Sequence, residues 1–253
     1  AEVQNRTGSL TLGSTSSTTA EDWNLADHRF GPDSAPGVLT LRARDNIDLF
    51  NAISDGFAGG PDLWRSPLVA HNANLPANRQ SWSYRMAAGA DFKAADTREV
   101  RDLEDLAPDT GMIRLGKNAG SATATGGANA QTSSVIANRF QVIRTGSGDI
   151  DIHAGRSVQL LNPFASIYTA GTQVADPTGI FAPGDFVTPV LTASISNGGL
   201  GAVQANQTYP AQYAMAGGNV TIEAGENIER KTQNNTGLVD DSSRQLPNNW
   251  LYR

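Results

Sequence analysis

Three segments of the chain share one pattern of apolar and polar positions and align without gaps: residues 37–49, 148–160 and 218–230. Each begins with glycine, alternates apolar and polar residues as far as an alanine, and resumes with an apolar residue after a short polar break. Alternation with a period of two places the apolar side chains on one face of a strand. The pattern therefore predicts two short strands joined by a corner, with their apolar faces inward. Residues 8–12 are predicted to be a truncated copy.

Two strands so close in sequence could form a hairpin, but the residues at the polar break are not those of a two-residue primed turn. One side of a β-solenoid rung fits the pattern better, because each rung buries its interior by stacking on the next, about 4.8 Å away. Parallel strands joined by crossovers are usually right-handed. The sequence thus predicts an all-β fold, a right-handed parallel β-helix with loop insertions. Asn46 and Asn227, at the corners, are candidates for polar ladders between rungs.

Further rungs are predicted where apolar residues alternate in residues 81–91, 111–115, 139–144 and 166–170. Residues 20–36, 59–80 and 172–215 are rich in Pro, Gly and Asn and are predicted to be insertions that leave the coil. A fourth insertion is predicted at about 96–110. Asp96 and Glu99 resemble a capping box there, so a short surface helix and a charged loop are both open. Residues 1–253 are interpreted as a single β-helix segment of a longer chain.

The composition supports short strands and tight turns rather than long helices. Hydrophobic residues make up 39% of the chain, charged residues 17%, and 26 residues are glycine. The net charge is −6 and no basic run occurs, which argues against a nucleic-acid partner. The chain has no cysteine and no cofactor-binding motif, so we predict no cofactor.

Asp149, Asp151 and His153 are the best candidates for chemistry, because they share the outward face of one predicted strand. Such groups could act as acid and base, or the two carboxylates could bind calcium. Residues two apart on any strand are about 7 Å apart, however, so this spacing alone does not identify a site. The third copy carries Thr221 and Glu223 at the equivalent places, and such a varied row favours a solvated face. We therefore predict no catalytic residue, expect no enzyme, and regard Asp149 and Asp151 as weak metal candidates.

Tryptophans in the predicted loops are the candidates for ligand binding. Trp23, Trp64 and Trp250 lie in or near these loops and could stack on sugar rings. The alternative is that they pin the loops onto the coil, since aromatic side chains bury a large area.

Several strings in the chain resemble the filamentous haemagglutinin family of large bacterial exoproteins, which are two-partner-secreted adhesins. They cover most of the chain from about residue 37 onward: residues 39–49, 51–57, 81–85, 88–91, 138–146, 169–176 and 243–253. The resemblance implies a right-handed parallel β-helix on the outside of a Gram-negative bacterium. It also implies export through an outer-membrane secretion barrel and a role in adhesion, aggregation or display of a distal domain.

One departure from the family matters for the function. The Asn-Pro-Asn-type motifs of the family's secretion domain are missing, and the only Asn-Pro is Asn162-Pro163. The chain is therefore expected to be an internal segment, a structural stalk of a secreted or cell-surface adhesin. A glycan-binding module and a carbohydrate-active β-helix similar to polysaccharide lyases or hydrolases are the alternatives. The expected partners are the secretion barrel and a host or bacterial surface glycan or protein receptor, with lateral or end-to-end self-association.

Overall fold

A computed structural model of the chain provides the structure. It describes residues 1–14, 23–55, 80–116, 141–161, 165–169, 171–173, 190–191, 203–204, 214–234 and 237–240. The helical part of these ranges is a single 3₁₀ turn, Leu103–Asp105. No helix in them is long and apolar enough to cross a membrane.

The strands follow one another in repeated passes, and we call each pass a rung. The first rung contains β1 Glu2–Asn5, β2 Leu10–Leu12 and β3 Trp23–Asn24, and the second contains β4 Val38–Ala43, β5 Ile47–Leu49 and β6 Ile53–Ser54. The third contains β7 Ser83–Ala88, β8 Ile113–Leu115 and β9 Val142–Thr145, and the fourth contains β10 Ile150–Ala154, β11 Ser157–Leu160 and β12 Ser166–Thr169. Four two-residue strands follow: β13 Thr172–Gln173, β14 Val190–Leu191, β15 Val203–Gln204 and β16 Ala214–Met215. The fifth rung contains β17 Val220–Ala224 and β18 Asn227–Asn234, and β19 Gly237–Asp240 folds back on β18.

Equivalent strands of successive rungs pair in parallel and build three sheets. The first sheet has the order β1-β4-β7-β10-β17, the second β2-β5-β8-β11-β18, and the third β3-β6-β9-β12. Among the strands of the described residues, antiparallel pairing joins β13 to β16 and β14 to β15, and it joins β19 to the end of β18, so that β19 extends the second sheet. The predicted all-β fold with parallel strands is thus confirmed, and three such sheets are compatible with a β-solenoid.

The apolar residues of the sequence pattern form rows that run from rung to rung. In the first sheet Leu41 pairs with Met86, Met86 with Ile152, and Ile152 with Ile222. The first three of these side chains are at most 1% exposed. The neighbouring strands thus place similar side chains above and below each inner strand, and these rows pack in one core with apolar residues of the other two sheets.

The glycine that opens each copy of the pattern is required by this stacking. A Cβ atom on Gly148 would lie 2.0 Å from the carbonyl oxygen of Trp82, and one on Gly218 would lie 1.9 Å from that of Gly148. A Cβ atom on Gly37 would meet the ring of Trp82 at 2.7 Å. Neighbouring rungs approach so closely at this position that only a residue without a side chain fits.

The prediction for residues 8–12 is wrong in its register. Residues 8–12 resemble the start of the pattern, whose strand belongs to the first sheet, yet Leu10 pairs with Ile47 in the second sheet. The first sheet begins instead with Glu2–Asn5, in which Val3 pairs with Leu41. This strand has a single apolar residue, so the pattern does not reveal it.

The extra rungs predicted at residues 81–91, 111–115 and 139–144 are also corrected. All three segments contain strands, but these strands are the three sides of one rung. The rungs are consequently longer than the pattern suggests, because 66 residues separate Ser83 from Asp149 and 70 separate Asp149 from Asn219.

The predicted insertions have different outcomes. Residues 20–36 include strand β3, in which Trp23 pairs with Ile53. Of residues 59–80 only Gln80 is described, and of 172–215 only the short strands β13 to β16. The helix considered for residues 96–110 reduces to the 3₁₀ turn at 103–105, and the side chain of Asp96 accepts a hydrogen bond from the backbone N–H of Arg98 at 2.9 Å instead of capping a helix.

The insertion after β7 is anchored in the corner between the first two sheets. Leu106 is 7% exposed and fills space next to Gly89, Gly111 and Gly155, where a Cβ atom would lie 2.6 to 3.1 Å from its methyl groups. The glycines at this corner therefore create a groove for Leu106, and that contact positions the insertion against the sheets.

The predicted ladder of corner asparagines is replaced by a bridge to the backbone. Asn46 donates from Nδ2 to the carbonyl oxygen of Asp109 at 2.9 Å and accepts from the N–H of Met112 at 2.9 Å. Asn227 pairs with Ser157. The two asparagines thus lie three rungs apart and do not stack on each other.

Candidate functional site

The outer face of the first sheet collects the polar residues that the pattern predicted to point outward. Residues that are paired in register on neighbouring strands form two rows across this face. One row contains Glu2, Thr40, Arg85, Asp151 and Thr221, and the other contains Gln4, Arg42, Ala87, His153 and Glu223. The predicted equivalence of Asp151 with Thr221 and of His153 with Glu223 is confirmed by this register. We call these two rows the outer rows.

Charged residues in the outer rows pair between rungs. Asp151 lies 3.9 Å from Nε of Arg85 on the preceding rung. Nδ1 of His153 lies 3.3 Å from a carboxylate oxygen of Glu223 on the following rung. The side chain of His153 is 13% exposed, and its Nε2 atom is buried without a hydrogen-bond partner. His153 and Glu223 therefore form a histidine–carboxylate pair with one ring nitrogen unused.

The insertion after β7 adds two charged residues to this face. Nη2 and the backbone N–H of Arg98 both donate to the carboxylate of Asp96, each at 2.9 Å. These hydrogen bonds hold the pKa of Asp96 at about 2. The same hydrogen bonds raise the pKa of Arg98, with smaller contributions from the charges of Asp151 and Glu223. Arg98 thus lies within electrostatic range of both carboxylates of the outer rows.

Asp149, the first of the predicted trio, lies just before β10. Its carboxylate accepts a hydrogen bond from the backbone N–H of Asn219 at 2.8 Å, and its own N–H donates to Oγ of Ser83 at 3.0 Å. It therefore connects three consecutive rungs. Asp149 and Asp151 have different partners, and in the described part of the chain no three His, Asp or Glu side chains are grouped as a metal site.

The two acid–base candidates of the outer rows, Asp151 and His153, are each paired with a charged side chain. Acid–base catalysis requires a group whose proton can reach a substrate, and Asp151 is already ion-paired with Arg85. His153 could exchange a proton through Nε2, but that atom is buried. The arrangement is better suited to pairing adjacent rungs, because each partner comes from a different rung.

Trp23 is the one predicted aromatic candidate that lies within the described residues. Trp23 is 38% exposed and pairs with Ile53, which pairs with Ile143 in the same row of the third sheet. Trp23 therefore belongs to the end of an apolar row and not to a loop surface. Trp64 and Trp250 lie outside the described residues.

A buried polar cluster was missed by the sequence analysis. Asp55 is fully buried, and its carboxylate accepts hydrogen bonds from Nη2 of Arg29 at 2.9 and 3.1 Å and from the backbone N–H of Trp82 at 2.7 Å. The indole N–H of Trp82 donates to the carbonyl oxygen of His28 at 2.7 Å, and its ring lies 5.6 Å from that of Phe30. The cluster attaches residues 28–30 to the end of β6 and to the residue that precedes β7.

Two further groups strengthen the outside of the stack. Phe92 lies over the guanidinium of Arg42, at 4.6 Å, which explains why this outward-facing arginine is only 7% exposed. In the second sheet Arg114 makes a bidentate ion pair with Asp48, with distances of 2.5 and 3.0 Å. Both groups join different parts of the stack, so the charged residues described on these faces act mainly between rungs.

Comparison with known proteins gave no relative for the chain: no family model, no curated protein and no solved structure matches it.

Proposed function

We propose that the chain is a structural stalk segment of a secreted bacterial surface adhesin, built as a right-handed parallel β-helix. One observation carries this proposal: equivalent strands of successive rungs pair in parallel in all three sheets, with the apolar rows in register. A stack of this kind has no closed end in principle and can be extended by adding rungs, which is the property that a stalk requires.

The charged groups support the same function. Arg85 with Asp151, His153 with Glu223 and Asp48 with Arg114 all join neighbouring rungs. Such pairs stabilise the stack along its axis and leave no open carboxylate pair on the described outer rows. Exposed pairs contribute little individually, so their main effect is to fix the register of the strands.

The resemblance of the sequence to filamentous haemagglutinins supports the cellular part of the proposal. The stalk would stand on the surface of a Gram-negative bacterium or be released from it, after export through an outer-membrane secretion barrel. It would contribute to adhesion, to aggregation, or to the display of a distal domain. The receptor contacted by the complete adhesin would be a glycan or a protein on a host or bacterial cell.

A carbohydrate-active function is a second candidate, and the unused Nε2 atom of His153 is the observation that favours it. Nδ1 of His153 pairs with Glu223 and leaves Nε2 without a partner, and such a nitrogen could accept a proton from a sugar hydroxyl if the covering residues moved aside. The burial of Nε2 and the ion pair on Asp151 make this function less well supported than the stalk.

Two arms of one experiment test the proposal with the purified chain. In the first, the chain is incubated with a glycan array and with a panel of acidic polysaccharides. In the second, it is fused between a bead anchor and a reporter binding domain. The stalk predicts no saturable glycan binding and no cleavage products, while the reporter on the beads binds its ligand as well as the free reporter does.

Variants separate the alternatives if a signal appears. Cleavage that is lost in His153→Gln and kept in Thr221→Ser would replace the stalk by the enzyme. Saturable glycan binding that is lost in Trp23→Ala would replace it by the binding module. Beads that carry the chain without a reporter serve as the control, and specific adhesion of these beads to cells would also contradict a purely structural role.

A further inference from the structure

The insertion between β7 and β8, residues 89–111, belongs to the third rung and also contacts the second. Nη2 of Arg101 donates to the carbonyl oxygen of Arg44 at 2.5 Å. The carbonyl oxygen of Asp109 accepts from Nδ2 of Asn46 at 2.9 Å. Arg44 and Asn46 lie between β4 and β5, at the corner of the second rung. Two hydrogen bonds from different side chains therefore attach the insertion to the rung that precedes its own.

The same insertion contacts the fourth rung. The carbonyl oxygen of Thr110 accepts a hydrogen bond from Nε of Arg156 at 3.2 Å. Leu106 packs so closely against Gly155 that a Cβ atom there would lie 2.9 Å from one of its methyl groups. The same Cβ atom would lie 3.1 Å from the carbonyl oxygen of Arg101. Gly155 and Arg156 form the corner between β10 and β11, so the insertion also meets the rung that follows its own.

These contacts reach across the third rung within very few residues. Asp109 and Thr110 are neighbours in sequence, yet their carbonyl oxygens accept from side chains of the second and the fourth rung respectively. Arg101 places its backbone against Gly155 of the fourth rung and its guanidinium on Arg44 of the second. Strands two rungs apart in a parallel ladder are separated by about 9.6 Å, too far for a direct backbone hydrogen bond. The insertion therefore joins two rungs that the sheets connect through the third.

The insertion is also attached to the outer face of the first sheet. Nη2 of Arg42, on the second rung, donates to the carbonyl oxygen of Asp91 at 3.0 Å, and the ring of Phe92 covers its guanidinium. A bridge between Ala90 and Val100 closes this part of the insertion into a loop. The side chain of Arg42 is 8% exposed, so the attachment is shielded from water. A shielded hydrogen bond from a charged donor is stronger than an exposed one, which adds to the hold on the second rung.

We propose that residues 89–111 act as a mechanical clamp that fastens the second, third and fourth rungs into one unit. The proposal rests on the proposed stalk, because a stalk that links a cell to a surface transmits pulling force along its length. The hydrogen bonds between rungs lie along the axis of the stack, so a pulled strand can lose them one after another from its free end. The clamp opposes this sequence, because a rung on either side must break its side-chain contacts with the insertion together with its ladder hydrogen bonds.

Two leucines three residues apart provide a matched pair of variants. Leu106 is 7% exposed and fills the glycine-lined corner, whereas Leu103 is 36% exposed. Leu106→Ala removes the contact with the fourth rung, and Leu103→Ala makes the same chemical change outside that contact. Arg101→Gln is a third variant, because the shorter side chain loses the hydrogen bond with Arg44 on the second rung. The first and third variants thus weaken opposite sides of the clamp, and the second should weaken neither.

Single-molecule pulling at constant force, with the full chain held by its two ends, tests the clamp. We expect the first and fifth rungs to peel away first and residues 38–169 to extend afterwards in a single step. Leu106→Ala should shorten the lifetime of the clamped unit at least about thirtyfold, because a cavity at a buried leucine weakens the contacts that break last. It should also release residues 150–169 as a separate step. Arg101→Gln should release residues 38–54 separately instead, and Leu103→Ala should leave the single step and its lifetime unchanged.

Separate extension of the second, third and fourth rungs in the unsubstituted chain would overturn the clamp and leave the stack intact. A shorter lifetime of Leu106→Ala without the separate release would show that Leu106 only stabilises the stack, and it would also overturn the clamp. Circular dichroism before pulling checks that each variant is folded, and Arg101→Gln carries the test if Leu106→Ala does not fold. Steps that do not correspond to whole rungs would contradict the stacked coil itself, and with it the proposed stalk.

Discussion

The stacking of rungs can be tested by adding a single methyl group. A Cβ atom on Gly148 would lie 2.0 Å from the carbonyl oxygen of Trp82, 2.5 Å from its carbonyl carbon, and 2.9 Å from the carbonyl oxygen of Ser81. All three atoms belong to the backbone of the preceding rung, so no side chain can rotate to make space. Gly148→Ala must therefore push two rungs apart.

The size of the effect follows from the distances. Ordinary contact begins at 3.4 Å, so the Cβ atom must move by about 1.4 Å. Overpacking of this kind costs about 1–3 kcal/mol. Two neighbouring hydrogen bonds, from the N–H of Tyr84 to the carbonyl of Asp149 at 2.8 Å and from the N–H of Asp149 to Ser83 at 3.0 Å, would be stretched at a further cost of about 1 kcal/mol each. We expect a total loss of about 3–5 kcal/mol in the free energy of unfolding.

Urea unfolding followed by circular dichroism measures this loss. Gly8→Ala is the matched control, because the nearest atom to a Cβ there is a side-chain atom at 3.5 Å, and we expect it to change the free energy of unfolding by less than about 0.5 kcal/mol. A Gly148→Ala variant within about 1 kcal/mol of the unsubstituted chain would show that the two rungs are not stacked closely at this position.

Three further predictions concern the buried and charged groups. Asp55→Asn should lower the free energy of unfolding by about 3 kcal/mol in urea unfolding, because it leaves the charge of Arg29 without its buried partner; an unchanged midpoint would contradict this. Burial raises the pKa of Tyr84 well above its ordinary value of 10.0, so the folded state keeps a proton that the unfolded state releases. Stability should therefore be full below about pH 10 and fall as the pH rises further, and Tyr84→Phe should reduce this fall, as measured by thermal melts between pH 8 and 11. The carboxyl group of Asp96 should titrate near pH 2 in carbon-detected NMR, and Arg98→Gln should return its pKa toward 3.8; a pKa of 3.8 in the unsubstituted chain would exclude the hydrogen bonds seen here.

The strands of the stack could be predicted where the apolar residues alternate over a sufficient length. The three gapless copies give the correct strands and the correct faces, since alternation and burial have the same period. The short or polar strands could not be identified in this way. Glu2–Asn5 has one apolar residue, and Trp23–Asn24 has only two residues, so neither has a pattern. They are strands because the neighbouring rung provides hydrogen-bonding partners.

The assignment of strands to rungs failed for a related reason. Residues 81–91, 111–115 and 139–144 were correctly predicted as strands, but alternation describes one strand and contains no information about which sheet the strand joins. Long connections separate the three strands of this rung. Their spacing along the sequence is therefore irregular and does not indicate which sheet each strand joins.

The candidate site was predictable only in part. Alternation placed Asp151 and His153 on one face, and the alignment of copies gave Glu223 as a neighbour of His153. The contributions of Asp96 and Arg98 could not be predicted, because they depend on how an insertion folds back over the sheet. Contacts between residues distant in sequence, such as Arg29 with Asp55, follow from tertiary structure alone.

The uneven length of the rungs indicates where new chemistry can arise in this protein. The entropic cost of closing a loop grows slowly with its length, so a rung can accept a long insertion with little effect on the stack. Leu106 shows how such an insertion is held, since one side chain in a glycine-lined corner positions the segment that carries Asp96 and Arg98. The strands preserve the register and the insertions vary the surface. Under the proposed function, specific binding would therefore be sought in the insertions, whereas changes to the inward rows would alter the stack itself.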